Sequence, residues 1–495
     1  MPRRGYPRET VMRRRGACIA VGLAIALGVV SPAKAGPLLQ GRVEAALASS
    51  CVPKADIGVH VVRLSDGATL AAHQADRLFI PASNVKLLTT AAALRTLGSD
   101  YRFTTKLYAA GPLAGGILKG DLVLKGFGDP ELVSERLWLL ASALRQRGLR
   151  EVAGDLVIDE SFFDDEVRAP SWGGRTSTRA FYAPVAPASL NFNAVAVHIE
   201  PGPTPGQPAR VFLDPETAFL KLVNRATTGS AGSTRNLVVD RRGGERSNTI
   251  VVRGSIPYDE ERATHYRSIT HPWRYLATVL AEVLRREGIA VKGRLREGRV
   301  PKGALELLTF ESKPFGRIAQ DLNKLSNNFV AESVLKTMGA SVHGPPGSFE
   351  KGLAVVQDFM RSIDIAPVSY HLGDGSGLSP ANRLTTRQIT TVLTAMWRDF
   401  RYRPEYLVSL AVMGMDGSVD ERLAETQAVQ RLRVKTGSLA GVSALSGYGV
   451  AADSEELAFS IIINNKTCGL PLMQKVQDAV GLALVTSAAK EPKPR

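Results

Sequence analysis

Ser326 stands 240 positions after Lys86, and Lys435 a further 109 positions on. Each belongs to a short motif: Ser83-Asn84-Val85-Lys86, Ser326-Asn327-Asn328 and Lys435-Thr436-Gly437. This order constrains the fold more than any other feature. If the three motifs act together, the chain must close over a long stretch that carries none of them. The set supplies a nucleophilic hydroxyl, two amines, a second hydroxyl and an amide. That suffices for acyl transfer without a catalytic histidine.

The Ser-x-x-Lys pattern alone does not decide the matter, because it also starts at Ser333, Ser348 and Ser487. Context selects Ser83. The apolar run Leu78-Phe79-Ile80-Pro81-Ala82 leads into it, and Val85, Leu87, Leu88, Ala91, Ala92, Leu94 and Leu97 follow with helical spacing up to Gly98. Ser83 is therefore expected at the start of a buried helix, where unpaired N–H groups favour a developing negative charge. Lys86, three residues on, shares its face. A plain helix-capping role accounts for Ser83 taken by itself.

A chain of 495 residues is expected to form two or three domains. Residues 1–35 read as an export signal. Arg13-Arg14-Arg15 precede an apolar stretch from Ala17 to Val30, and Ala33-Lys34-Ala35 offers a cleavage site. That stretch is short for a membrane span, so no stable span is expected after cleavage. The formal charge of +15 falls to +9 without these residues. Dispersed basic residues on an exported chain speak against nucleic acid and are compatible with an anionic envelope polymer. Cys51 and Cys468 remain, which permits one disulfide in an exported protein. The seven histidines show no metal-ligand spacing, and no cofactor or metal is expected.

Residues 37–50 read as a helix, and 57–63 with 68–71 as a β-hairpin. From 99 to 300 short β-like runs alternate with Gly and Pro, interrupted by helical patterns near 131–148 and 273–287. Helical periodicity returns at about 315–338, 349–363 and 386–399. Strands at 431–436, 441–451 and 457–464 and a helix from 471 to 487 close the chain. An antiparallel sheet with helices on its faces is the natural assembly.

In chemical terms Lys86 can deprotonate Ser83 only if its pKa is lowered, by burial and by the second ammonium of Lys435. Ser326 and Asn328 are two apart in a helix–turn segment; Ser326 can relay a proton to a leaving amine, and Asn328 can hold a substrate carbonyl. Lys435 and Thr436 can bind a carboxylate, and Gly437 lets a substrate strand approach closely. The N–H groups of Ser83 and Ser438 can form an oxyanion hole, worth roughly 3–4 kcal/mol per donor. Each motif alone also fits ordinary turn, cap or strand-end chemistry.

The ordered triple resembles the serine penicillin-recognising enzymes, whose signature runs S-x-x-K, S-x-N, K-T-G. The chain is most similar to the exported D-alanyl-D-alanine carboxypeptidase/endopeptidases, the class C low-molecular-mass penicillin-binding proteins. The long gap before Ser326 matches that subgroup's insertion. So do Gly126-Phe127-Gly128-Asp129-Pro130, Tyr182-Ala183-Pro184-Val185, Asn191-Phe192-Asn193, Asp374-Gly375-Ser376-Gly377-Leu378-Ser379 and Gly414-Met415-Asp416-Gly417.

The resemblance implies an α+β penicillin-binding/β-lactamase-like transpeptidase domain, an antiparallel sheet flanked by helices, with a large β-rich insertion. Residues 36–98 and 305–495 would form the catalytic domain. Residues 99–304 would form the insertion, with a nested subdomain near 195–255. The resemblance also implies a periplasmic or otherwise exported enzyme acting on peptidoglycan stem peptides, with β-lactam antibiotics as covalent inhibitors. Ser83, Lys86 and Ser326 would be catalytic; Asn328, Lys435, Thr436, Gly437 and Ser438 would bind substrate. Asp159 matches an acidic position near the side-chain subsite. Pro380 replaces a frequent arginine, for which Arg383 is the nearby candidate, and Asn327 stands where Asp is common. In this fold the strands flanking Cys51 and Cys468 are neighbours, which implies a Cys51–Cys468 disulfide. The competing readings are a β-lactamase or esterase on the same scaffold and a non-catalytic cell-wall-binding protein.

Overall fold

The first strand of the chain pairs with the last. Ile57–Arg63 lies antiparallel to Glu456–Asn464, with Ile57 opposite Ile463 and Arg63 opposite Leu457. This pairing closes a six-stranded sheet ordered Ala411–Val412, Leu432–Leu439, Val442–Val450, Glu456–Asn464, Ile57–Arg63, Thr69–His73. Every neighbouring pair in it is antiparallel. The structure, a computed structural model, describes residues 39–489 except 49, 175, 176 and 245. The expected export signal over 1–35 lies outside the described residues.

Both faces of this sheet are covered, which is why its inner strands read as unbroken apolar runs such as Ile461-Ile462-Ile463. On one face Val43 and Leu47 of the Leu39–Ala48 helix meet Val480 and Leu484 of the Leu470–Thr486 helix. On the other face the Val85–Thr96, Asn328–His343, Phe349–Arg361 and Thr386–Arg398 helices share a second core. The Val85–Thr96 helix is buried along its first ten residues, Val85 to Leu94, as expected of a helix that is apolar nearly all round.

The inserted region builds its own core from Leu107, Leu124, Leu140, Leu156 and Leu280 among others. Its main sheet is ordered Leu295–Glu297, Leu156–Asp159, Asp121–Gly126, Thr104–Ala110, Leu305–Glu311. Leu305–Glu311 pairs antiparallel with Thr104–Ala110, so this strand completes the inserted sheet rather than the catalytic one. Two three-stranded sheets span Ala194–Ser268, a wider stretch than the expected 195–255. One segment of the insertion reaches back: Phe163, Trp172 and Val185 pack into the core that surrounds the Val85–Thr96 helix.

Candidate active site

The helical periodicity read across 315–338 is broken at the second motif. Phe315–Lys324 and Asn328–His343 are separate helices, and Ser326 sits between them at φ 57°. Asn327 caps the second helix, its side-chain oxygen accepting the Val330 N–H at 3.2 Å. The middle residue of the motif thus serves the helix, and an Asn does this as well as an Asp.

Ser83 lies in a short 3-10 turn, Ala82–Asn84, that runs directly into the Val85–Thr96 helix. The turn is fixed from the sheet side. Asn84 donates to the Lys435 carbonyl at 3.0 Å and accepts from Ser446 Oγ at 2.6 Å. A Cβ on Gly437 would come within 3.1 Å of the Ser83 nitrogen, so the strand edge presses against the nucleophile's backbone. From the other side, Gly377 at φ 83° lies so close to the Ala82 carbonyl that any side chain would collide with it.

The structure brings the three motifs together through their side chains. Lys86 Nζ donates to Ser83 Oγ at 3.1 Å, to Asn328 Oδ1 at 2.7 Å and to the Ser376 carbonyl at 2.6 Å. Lys435 Nζ donates to Ser326 Oγ at 2.9 Å and to the Thr436 carbonyl at 2.8 Å. Both lysines are wholly buried. Burial pushes Lys86 down to about 8, although Asp374 and Glu332 pull the other way. Burial, and then repulsion from Lys86, push Lys435 well below the ordinary lysine value. Thr436 Oγ1 is 2.7 Å from Ser418 Oγ, while Ser438 is exposed on the same strand.

The loop 374–379, met in the sequence only as a matching stretch, supplies the Ser376 carbonyl. Its shape comes from two buried carboxylates. Asp374 accepts from the Gly377 and Ser379 N–H groups and from the Asn382 and Trp172 side chains. Glu332 accepts from the Gly375 and Ser376 N–H groups at 3.0 and 2.8 Å, and burial pushes its carboxyl up to about 8. Sequence reasoning missed Asn84, Glu332 and Asp374 as supports of the site. The one available signal was Glu332, the single carboxylate of a helix whose apolar spacing marks it for burial.

Asp159 stands at the end of the Leu156–Asp159 strand of the inserted sheet. Its carboxylate, 1% exposed, is occupied by the Ser161 and Val300 N–H groups and by Lys125. It thereby knits the inserted sheet. Cys51 and Cys468 are both free thiols, and the expected disulfide between them is absent. The Cys468 thiol instead donates to the Cys51 carbonyl at 3.2 Å. Arg383, the candidate beside Pro380, donates from Nη1 to the Pro380 and Asn382 carbonyls of its own loop.

A buried serine–lysine pair joined to a second serine and a second lysine beside an antiparallel sheet defines a penicillin-recognising serine hydrolase. Comparison with known proteins narrows this. Residues 39–485 match the D-Ala-D-Ala carboxypeptidase 3 (S13) family, and the chain belongs to it. It is 34% identical over 471 residues to a D-alanyl-D-alanine carboxypeptidase of Actinomadura sp. (strain R39), covering 92% of this chain and 85% of that protein. It is 25% identical to D-alanyl-D-alanine carboxypeptidase DacB of Haemophilus influenzae over 84% of this chain and 86% of that one. The fold is that of penicillin binding protein 4 from Haemophilus influenzae, with a TM-score of 0.78 at 24% identity, over 90% of this chain and 99% of that one.

Proposed function

We propose that this serine-type D-Ala-D-Ala carboxypeptidase works through an acyl-enzyme on Ser83, with Lys86 as its base. The observation that carries this reading is the placement of the Lys86 amine. It is wholly buried, 3.1 Å from the Ser83 hydroxyl, and its other two partners are neutral oxygens. No partner in that set holds a proton on it by charge, so the neutral amine is accessible.

Ser83 Oγ adds to the carbonyl between two terminal D-alanines, and its proton passes to Lys86. The tetrahedral oxyanion is held by the N–H groups of Ser83 and Ser438. The C–N bond then breaks, and the departing amine takes a proton relayed through Ser326, which leaves Lys86 neutral again. Lys435 and Thr436 hold the terminal carboxylate, and Asn328 holds the peptide backbone. Water next attacks the ester, Lys86 takes its proton, and the shortened stem leaves while Ser83 recovers its hydrogen. When the leaving amine belongs to a neighbouring stem, the same steps cut a cross-link. In a β-lactam the leaving amine stays tethered, so the ester on Ser83 persists. Such an enzyme meets its substrate in the cell envelope, consistent with the signal-like residues 1–35. No described helix is long and apolar enough to cross a membrane.

Purified muropeptides incubated with wild type and with Ser83→Ala, followed by mass analysis, test this. Loss of terminal D-alanine or of cross-links with wild type alone is expected. Equal products from both proteins would refute Ser83 as nucleophile.

A further inference from the structure

The cleft beside Ser326 and Asn328 does not end at the motifs. It is a cavity of 820 Å³ that continues across Phe181 and Tyr266 to Arg179 and Arg267 of the inserted region. That volume is within the range of sites that enclose a whole small ligand. The connection is direct, because Asn328 donates its side-chain amide to the Phe181 carbonyl at 3.2 Å. Phe181 and Tyr266 are 43% and 59% exposed, large for aromatic side chains that have a core available.

The far wall is built of arginines. Arg179 and Arg267 face each other across an isolated antiparallel bridge, which puts their side chains on one face. Arg168 and Arg241 lie behind them. Burial pushes Arg241 and Arg267 below the ordinary guanidinium value, and the next cause in each case is another arginine: Arg168 for Arg241, Arg179 for Arg267. Asp240 is the carboxylate that counters both. It is already engaged by Thr178 Oγ1 and the Arg241 N–H at 2.9 and 2.8 Å. The Arg241 Nε is buried with no hydrogen-bond partner, and the Arg179 side chain has none among the described residues. Arg267 is spent on the Val239 and Tyr266 carbonyls. Glu135 and Asp214 also line the cavity, from the Ser134–Gln146 helix and the Arg210–Asp214 strand.

Arg241 and Arg267 thus share one engaged carboxylate, with the unpartnered Arg179 side chain on the cavity wall beside Arg267, an arrangement that an anion relieves. We propose that this wall, Arg179 foremost with Arg241 behind it, is a subsite for a free carboxylate on the stem peptide upstream of the scissile bond. The exposed rings of Phe181 and Tyr266 flank the intervening chain. The inserted region then selects acidic stems over amidated ones. This rests on the reading of Ser83 as the acylation centre of a stem-peptide carboxypeptidase.

The test compares wild type, Arg179→Gln and Arg241→Gln on two stem pentapeptides ending in D-Ala-D-Ala. They differ only in whether the α-carboxylate of the γ-linked glutamyl residue is free or amidated. Wild type should favour the free acid in kcat/KM by roughly tenfold, the worth of a charge-assisted contact. Each variant should level the two peptides. The rate of Ser83 acylation by benzylpenicillin, which carries no carboxylate on the acyl side of its reactive amide, should not change. Equal rates on both peptides in wild type, or a preference that survives both substitutions, overturns the subsite. Calorimetric titration of Ser83→Ala separates this failure from failure of the catalytic reading. Tighter binding of the free acid, lost on adding Arg179→Gln, sustains the subsite even without turnover; equal binding of acid and amide refutes it.

Discussion

Ser83–Lys86 and Ser333–Lys336 are the same four-residue pattern, the first at the entry to the Val85–Thr96 helix and the second within the Asn328–His343 helix packed against it. Both lysines are buried to 0% exposure. Their partners differ. Lys336 Nζ is bound to Asp164 Oδ1 at 2.6 Å and to the Glu166 carbonyl, with the rings of Phe163 and Phe349 beside it. Burial pushes Lys336 below the ordinary lysine value, but the Asp164 carboxylate in direct contact favours its charged form. Lys86 meets a hydroxyl, an amide oxygen and a carbonyl, while Glu332 and Asp374 act on it only from a distance. The serines differ as well. Ser333 Oγ is buried mid-helix with no partner, whereas Ser83 precedes its helix, is half-buried and touches its lysine. Spacing alone makes a pair; position at a helix start and neutral acceptors make a nucleophile and a base.

The widest separation between the two pairs is expected in labelling by fluorescent penicillin. Ser83→Ala should lower the acylation rate by at least about 10⁴-fold, as removal of a covalent nucleophile does. Ser333→Ala should label like wild type. If Ser333→Ala abolishes labelling and Ser83→Ala does not, the assignment is reversed.

The lysines should part along different axes. Lys86→Met should slow acylation by about 10²–10⁴-fold, the range for loss of a positioned general base. Lys336→Met should acylate at close to the wild-type rate but unfold more easily, by about 1–3 kcal/mol in urea, because Asp164 loses its partner. Equal kinetic losses in both variants would show that the Lys86 effect is structural.

The pH profile sharpens the same contrast. Burial places Lys86 at about 8, so its basic form is the minor species at pH 7 and the major one at pH 9. The acylation rate constant should climb roughly tenfold between those values and level off, following the neutral amine. A flat profile from pH 6 to 9 in stopped-flow acylation would remove Lys86 from the proton-transfer step.

The three motifs were legible because each uses residue types that chemistry demands, and their order survives any loop length. The central sheet was legible too, since strands and helices at the two chain ends carry clear periodicity. What stayed hidden depends on contacts between distant segments. Asn84 looks like filler between Ser83 and Lys86, yet it joins the turn to the Lys435 strand. Glu332 and Asp374 only become a pair once the 374–379 loop folds over Lys86. Asp159 likewise holds Lys125 and two N–H groups of the inserted sheet, partners that its sequence neighbourhood does not announce. The helix–turn character of this segment was legible but the position of the break at Ser326 was not, because the apolar spacing of Phe315–Lys324 continues in phase into Asn328–His343.

That break gives the smallest expected effect and the finest division of labour. In Ser326-Asn327-Asn328 the outer residues contact Lys435 and Lys86, while the middle one caps a helix. Asn327→Ala should cost about 1 kcal/mol of stability, the usual worth of an N-cap. Asn327→Asp should restore it, because a carboxylate caps equally well and the helix N-terminus favours its charge. Neither change should alter the penicillin acylation rate more than a few-fold if the cap holds Ser326 and Asn328 only loosely in register. A drop of about 10²-fold in Asn327→Ala that Asp rescues would instead show that the cap sets the φ of Ser326, and so the aim of its hydroxyl at Lys435. A drop that Asp does not rescue would place Asn327 itself against the substrate, contrary to the hydrogen bond it makes with Val330.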